Sequence, residues 1–234
     1  MYFGMFDPTF IILIPAMIFA FFAQAKVQSA YKRYAGVRNR NGITGAQAAR
    51  RILDSNGLEA VPIEITQGKL SDHYDPRKKI MRLSQNVYND PSIASVSIAA
   101  HEAGHAIQDE KGYAPLKIRN TIAPAVSLAS TLSWPLLIIG IVITSAGYYS
   151  GGNTLFNIGI FLFVGVVIFH AVTLPVEFNA SKMAVAELLR LEIIYEEETT
   201  SAKKVLSAAA MTYIAALAVA VANLLRILAI RGRN

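Results

Sequence analysis

Two apolar stretches, residues 118–147 and 157–174, are separated only by a short uncharged connection containing YYSGGNT. A bilayer core needs roughly 20 apolar residues of helix to cross it, so each stretch is near spanning length. A pair so closely joined must form a hairpin, which returns the chain to the side it left. The first stretch contains Pro124 and Pro135, so a kink or a non-spanning first part is expected there. A third apolar run, TFIILIPAMIFAFFAQA at residues 9–25, lies near the start, and a fourth covers residues 206–230. With 53% hydrophobic and only 16% charged residues, the chain reads as mainly α, a polytopic membrane protein with three or four transmembrane helices.

Charge placement orients these segments. Lys26, Lys32, Arg33, Arg38, Arg40, Arg50 and Arg51 follow the first apolar run, whereas Asp7 and no Lys or Arg precede it. Ala23-Gln24-Ala25 has the look of a signal-peptidase site, but a signal peptide starts with basic residues. Residues 1–25 therefore read as an uncleaved anchor. The positive-inside rule then places the following polar part in the cytosol, and the plasma (inner) membrane is the expected location. The same rule makes this basic segment a neighbour of the lipid bilayer and not of nucleic acid. If residues 206–230 also span, Arg231 and Arg233 end up outside, against that rule; the alternative is a helix packed from the cytosolic side. There is no cysteine, so any metal must be held by histidines and carboxylates.

The polar part, residues 26–116, predicts a small α+β domain. Thr44 can cap a helix running to Asn56, with Gly57 as its stop. PIEIT (62–66) alternates as a strand, and KIMRL (79–83) reads as a second, giving a sheet of two or three strands with His73 in the loop between them. Asp90-Pro91 has the pattern of an N-cap followed by proline in the first turn. Gly112 closes the helix so opened.

Inside that helix lies IAAHEAGHAIQDE, residues 98–110. Positions four apart sit one above the other on a helix, so His101 and His105 can offer nitrogens to one ion. Without thiolates, two imidazoles favour one Zn²⁺ per chain. Glu102 adjoins the first ligand and can serve as the base that deprotonates an attacking water. A catalytic zinc site needs a third protein ligand. No third histidine follows closely, and the carboxylate candidates are Glu177, Glu187 and Glu192. Glu177 is preferred: it follows Pro175 at the end of the hairpin, which returns to the HEAGH side. Glu187 and Glu192 fall in a solvated charged stretch. His170, seven residues before Glu177, shares its helical face and either lines the cleft or is satisfied within the bundle. His73 either bonds a substrate carbonyl or is an ordinary turn residue.

AAHEAGHAIQ, DHYDPRKKIMRLS and LPVEFNAS together resemble the YugP-type family of membrane-bound neutral zinc metallopeptidases, and more distantly the membrane gluzincins. The resemblance implies a zincin-like domain in which a short sheet accompanies the HExxH helix. It implies His101, His105 and Glu177 as zinc ligands, Glu102 as base, and the KIMRL strand as the sheet edge along which a peptide lies. Ser181 stands where the gluzincin pattern has an aspartate that orients a ligand; a serine can still hydrogen-bond but brings no charge.

The chain is thus expected to divide into an anchor (1–25), a metalloprotease part (26–116), a transmembrane hairpin (117–174), and a third-ligand helix with the last apolar helix (175–234). The expected activity is membrane-bound zinc endopeptidase, acting on a peptide or membrane-protein substrate at the cytosolic face. The rival is a non-catalytic membrane scaffold retaining a structural zinc, which has no use for Glu102. Oligomeric state, physiological substrate and regulatory partners are not readable from the sequence.

Overall fold

The computed structural model describes residues 8–232; Asp7 and Arg233, two of the orientation cues, lie outside them. A 3-10 turn at Pro8–Ile12 leads into helix α1 (Ile14–Ala35). Then come α2 (Gly45–Asp54), strands β1 (Ile63–Thr66), β2 (His73–Asp75) and β3 (Ile80–Ser84), and the short helix α3 (Gln85–Asn89). Helix α4 (Ile93–Glu110) carries the HEAGH sequence, and three long helices follow: α5 (Ala114–Ser145), α6 (Tyr149–Arg190) and α7 (Glu196–Arg231).

Among the described residues, α5, α6 and α7 are the helices long and apolar enough to cross a membrane. The C-terminal apolar segment is therefore a spanning candidate. The run at residues 9–25 divides between the 3-10 turn and the first part of α1, which is not one of the three. Helix α5 continues through both Pro124 and Pro135, and α6 continues through Pro175. The expected break before Glu177 is absent, so Glu177 sits well inside a 42-residue helix and no helix N-terminus accounts for it.

The chain folds into two compact units. One comprises the described parts of Met1–Phe22, Ile118–Leu174 and Tyr213–Asn234. Its small core groups Leu137, Phe156, Phe163 and Ile227. The α5–α6 hairpin closes over Gly147 (φ 95°). The residues SGGNT, expected in the turn, instead form the first turns of α6. Gly140, Gly152 and Gly159 let the two backbones approach, since a Cβ on any of them would collide with the facing helix.

The other unit comprises Ala23–Lys117 and Pro175–Thr212, and it holds the larger core. Ile52 and Leu53 of α2, Met81 and Leu83 of β3, Ile93 and Ile107 of α4, and Leu188 of α6 are fully or almost fully buried. Burying each such side chain contributes about 1.5–3 kcal/mol. Thr44 completes a capping box with Gln47 at the start of α2. That helix stops at Asp54, before the expected Asn56, with Gly57 at φ 75°. Gly45 allows α2 to touch the Val87 carbonyl in the middle of α3, where a side chain could not fit.

The sheet order is β1-β3-β2, with β3 parallel to β1 and antiparallel to β2. The KIMRL strand is therefore central and cannot serve as an edge: both of its flanks are paired. His73 lies on a strand, not in a loop, and β2 forms an edge. Asp90-Pro91 does not cap α4. Asp90 is the C-cap of α3, in the extended conformation that a following proline favours. Ser92 is the N-cap of α4, its Oγ accepting from the Ser95 N–H. At the other end Gly112 takes φ 62°, one residue past the C-cap Lys111, as a C′ glycine should.

Candidate metal centre

His101 and His105 lie one turn apart on α4, and Glu177 faces them from α6. The Glu177 Oε2 is 3.2 Å from His101 Nε2 and 3.5 Å from His105 Nε2. One ligand atom from each of the three residues falls within a 4.8 Å cluster. Gly104 sets this closeness: a Cβ there would stand 2.8 Å from the Ala180 carbonyl oxygen. The glycine of HEAGH thus brings the α6 backbone onto α4 opposite both histidines.

The donor set fits a zinc ion. Bonds of about 2.0–2.1 Å in a tetrahedron give ligand–ligand edges of roughly 3.4 Å, which the two carboxylate–imidazole separations bracket. Glu177 is only 3% exposed. A buried carboxylate between two imidazoles is balanced well by a cation and poorly without positive charge. Two nitrogens and one oxygen also leave a fourth position for water or substrate.

Groups behind the trio hold the imidazoles. Ser181, one turn beyond Glu177, places its Oγ 3.2 Å from His101 Nδ1. The residue that departs from the gluzincin aspartate thus contacts the ring a ligand-orienting residue would contact. His105 Nδ1 is 3.0 Å from Gln108 Oε1, and the Gln108 amide group donates to the Val176 carbonyl and to Asn179 Oδ1. Sequence reasoning missed Gln108 and Asn179. Their signal was spacing: Gln108 is three residues after His105, on the same face of an otherwise apolar helix turn.

Glu102 is buried beside the cluster, and the backbone N–H of Tyr74 donates to its Oε2 at 3.0 Å. Burial raises its carboxyl from 4.5 to about 7; the carboxylates of Asp72 and Glu177 add to the rise, while His101 and the Tyr74 N–H oppose it. Tyr74 was also missed. Its N–H is available because Tyr74 pairs with Met81, whose own N–H is engaged by the Pro62 carbonyl. That makes Tyr74–Met81 a non-hydrogen-bonded pair, with the Tyr74 N–H facing away from the sheet. The Tyr74 hydroxyl reaches Asp109, which also binds Lys79, so β2 is tied to α4 at both ends of one residue.

The remaining candidates stand elsewhere. His73 is exposed on β2, its Nδ1 2.8 Å from the Ser71 carbonyl. His170 belongs to the apolar unit, its ring edge-on to Phe169. Glu187 pairs with Arg190 and accepts from Asn56. Glu192 takes φ 51° in the turn after α6. None of the four belongs to the cluster.

An HExxH pair, a carboxylate from a second helix and a buried glutamate beside them match the residue pattern of a metallopeptidase-type centre. The chain belongs to a zinc metallopeptidase family: residues 9–232 match the family described as "Putative neutral zinc metallopeptidase". A particular relative is the "Putative membrane protease YugP" of Bacillus subtilis (strain 168). The two are 45% identical over 223 residues, covering 94% of this chain and 96% of the relative. No solved structure matches the chain.

Proposed function

We propose that this chain is a membrane-bound zinc endopeptidase whose site is built by His101, His105 and Glu177 as ligands and Glu102 as base, acting at the cytosolic face of the membrane. The juxtaposition that carries this reading is the ionisable, buried Glu102 next to a three-donor cluster with room for a fourth ligand. A structural zinc site would favour four protein ligands and gain nothing from Glu102.

A zinc ion held there would supply the Lewis acidity that polarises a peptide carbonyl and acidifies the attacking water. Glu102 accepts the water's proton and passes it to the departing amine as the C–N bond breaks, so hydroxyl and hydrogen divide between the two products. The Tyr74 N–H keeps one carboxylate oxygen aimed while the other exchanges protons. The free edge of β2 passes directly by Glu102, so an extended peptide docks alongside β2, with His73 near its path. The substrate is a peptide or a membrane-protein segment near the bilayer. The basic stretch at residues 26–51 supports a cytosolic site.

Glu102→Gln tests the assignment. In detergent-purified protein it should keep wild-type zinc content and lose about 10²–10⁴-fold in peptide cleavage, while His101→Ala loses both. Normal cleavage by Glu102→Gln removes the catalytic assignment. For orientation, residues 26–51 should be cut by added protease in inside-out vesicles; cutting only in right-side-out vesicles reverses the placement.

A further inference from the structure

We infer that Gln108 is the positioning residue of this centre: its amide fixes the ring of His105 in the form that presents Nε2 to the metal, and ties that ligand to the helix bearing Glu177. This deepens the zinc peptidase reading and rests on it.

The direction of the hydrogen bonds carries the inference. Gln108 is 1% exposed, so water cannot substitute for its partners. Its Nε2 lies 2.9 Å from the Val176 carbonyl, and a carbonyl can only accept. That end of the side chain is therefore the NH₂ group, which also donates to Asn179 Oδ1 at 2.8 Å. The opposite end, facing His105 Nδ1 at 3.0 Å, is consequently the oxygen. An oxygen there requires a proton on Nδ1, because two acceptors facing each other in a buried site would leave both unsatisfied. With Nδ1 protonated, the neutral ring carries its free lone pair on Nε2, the nitrogen next to Glu177. One backbone carbonyl on α6 thus dictates, through Gln108, which nitrogen of His105 can bind a metal. Val176 immediately precedes Glu177, so the same side chain also sets the register between the two ligand-bearing helices.

Ser181 contacts His101 differently. A hydroxyl donates or accepts equally well, so it leaves that ring's form open. The amide on His105 requires the proton on Nδ1 and so excludes the other neutral tautomer.

The test is zinc affinity of the full-length protein in detergent, by chelator competition, with thermal unfolding of the metal-free protein alongside. Gln108→Met keeps the volume and removes all three hydrogen bonds; it should weaken zinc binding about 10–100-fold. Gln108→Glu keeps an acceptor for His105 Nδ1 but loses the amide's two donors, so at most one carboxyl proton is left for Val176 or Asn179. It should hold zinc close to the wild-type level while lowering the unfolding temperature of the metal-free protein. Asn179→Ala, which leaves the Val176 carbonyl in place, should cost less affinity than Gln108→Met. Unchanged affinity in Gln108→Met overturns the inference. So does equal loss in the Met and Glu variants, which would make Gln108 a strut between helices and nothing more. Absence of zinc uptake by the wild type instead removes the metallopeptidase reading beneath it.

Discussion

The two compact units bury hydrophobic surface in different ways. In the unit carrying the metal centre, a broad cluster from six helices and the sheet excludes water from within. In the apolar unit the cluster is small, and Phe161, Ile138, Val142 and Leu128 point outward. No more than 22% of the most apolar window of α5, α6 or α7 is buried inside the protein. Exposure on that scale is untenable in water and ordinary in lipid. The comparison shows one chain written in two ways: side-chain burial stabilises one unit, while the other exposes apolar helices long enough to cross a bilayer.

The sharpest way to break that contrast is to put a charge on an exposed apolar residue of each unit. Phe161→Asp, at a position 77% exposed on α6, should cost about 3 kcal/mol if the helix spans, read as reduced membrane insertion. Ile65→Asp on β1, 54% exposed, should stay within about 0.5 kcal/mol in thermal unfolding. Equal effects would erase the distinction between the units.

Glycines offer a second comparison. Gly104→Ala drives a Cβ against the Ala180 backbone and should destabilise the metal-bearing unit by about 1–3 kcal/mol, with weaker zinc binding. Gly165→Ala in α6 meets nothing within 4 Å and should leave both properties unchanged.

The smallest expected effect concerns pH. Because Glu102 is raised from 4.5 to about 7, the folded metal-free protein binds the extra proton between those values. The stability of the wild type therefore falls as pH rises through that window. Between pH 6 and 8 the loss attributable to Glu102 should be roughly 1 kcal/mol. Glu102→Gln should remove that part of the slope, as thermal unfolding at the two pH values would show.

Legibility in the sequence followed the range of the physics. The capping box at Thr44, the glycine past α4 and the apolar helices are set by residues within a few positions of one another. The pairing of Glu177 with His101 and His105 was within reach because topology returned that segment to the same side. Sheet order was not, since β2 has three residues and exists through its pairing with β3 and its tie to α4. The Asp90-Pro91 signal marked a real boundary but the wrong side of it: proline excludes helix before itself, and Ser92 restarts the chain. Gln108 and Tyr74 contribute through partners far away in sequence, at Val176 and Glu102, which local spacing cannot reveal.

The Tyr74 N–H bound to Glu102 has a consequence for the free edge of the sheet. An uncovered strand edge is sticky, inviting any other extended chain to pair with it. Here the outward Tyr74 N–H of that short edge is covered by the Glu102 carboxylate. That donor is thereby withheld from stray strands, so the contact that holds Glu102 also guards the edge.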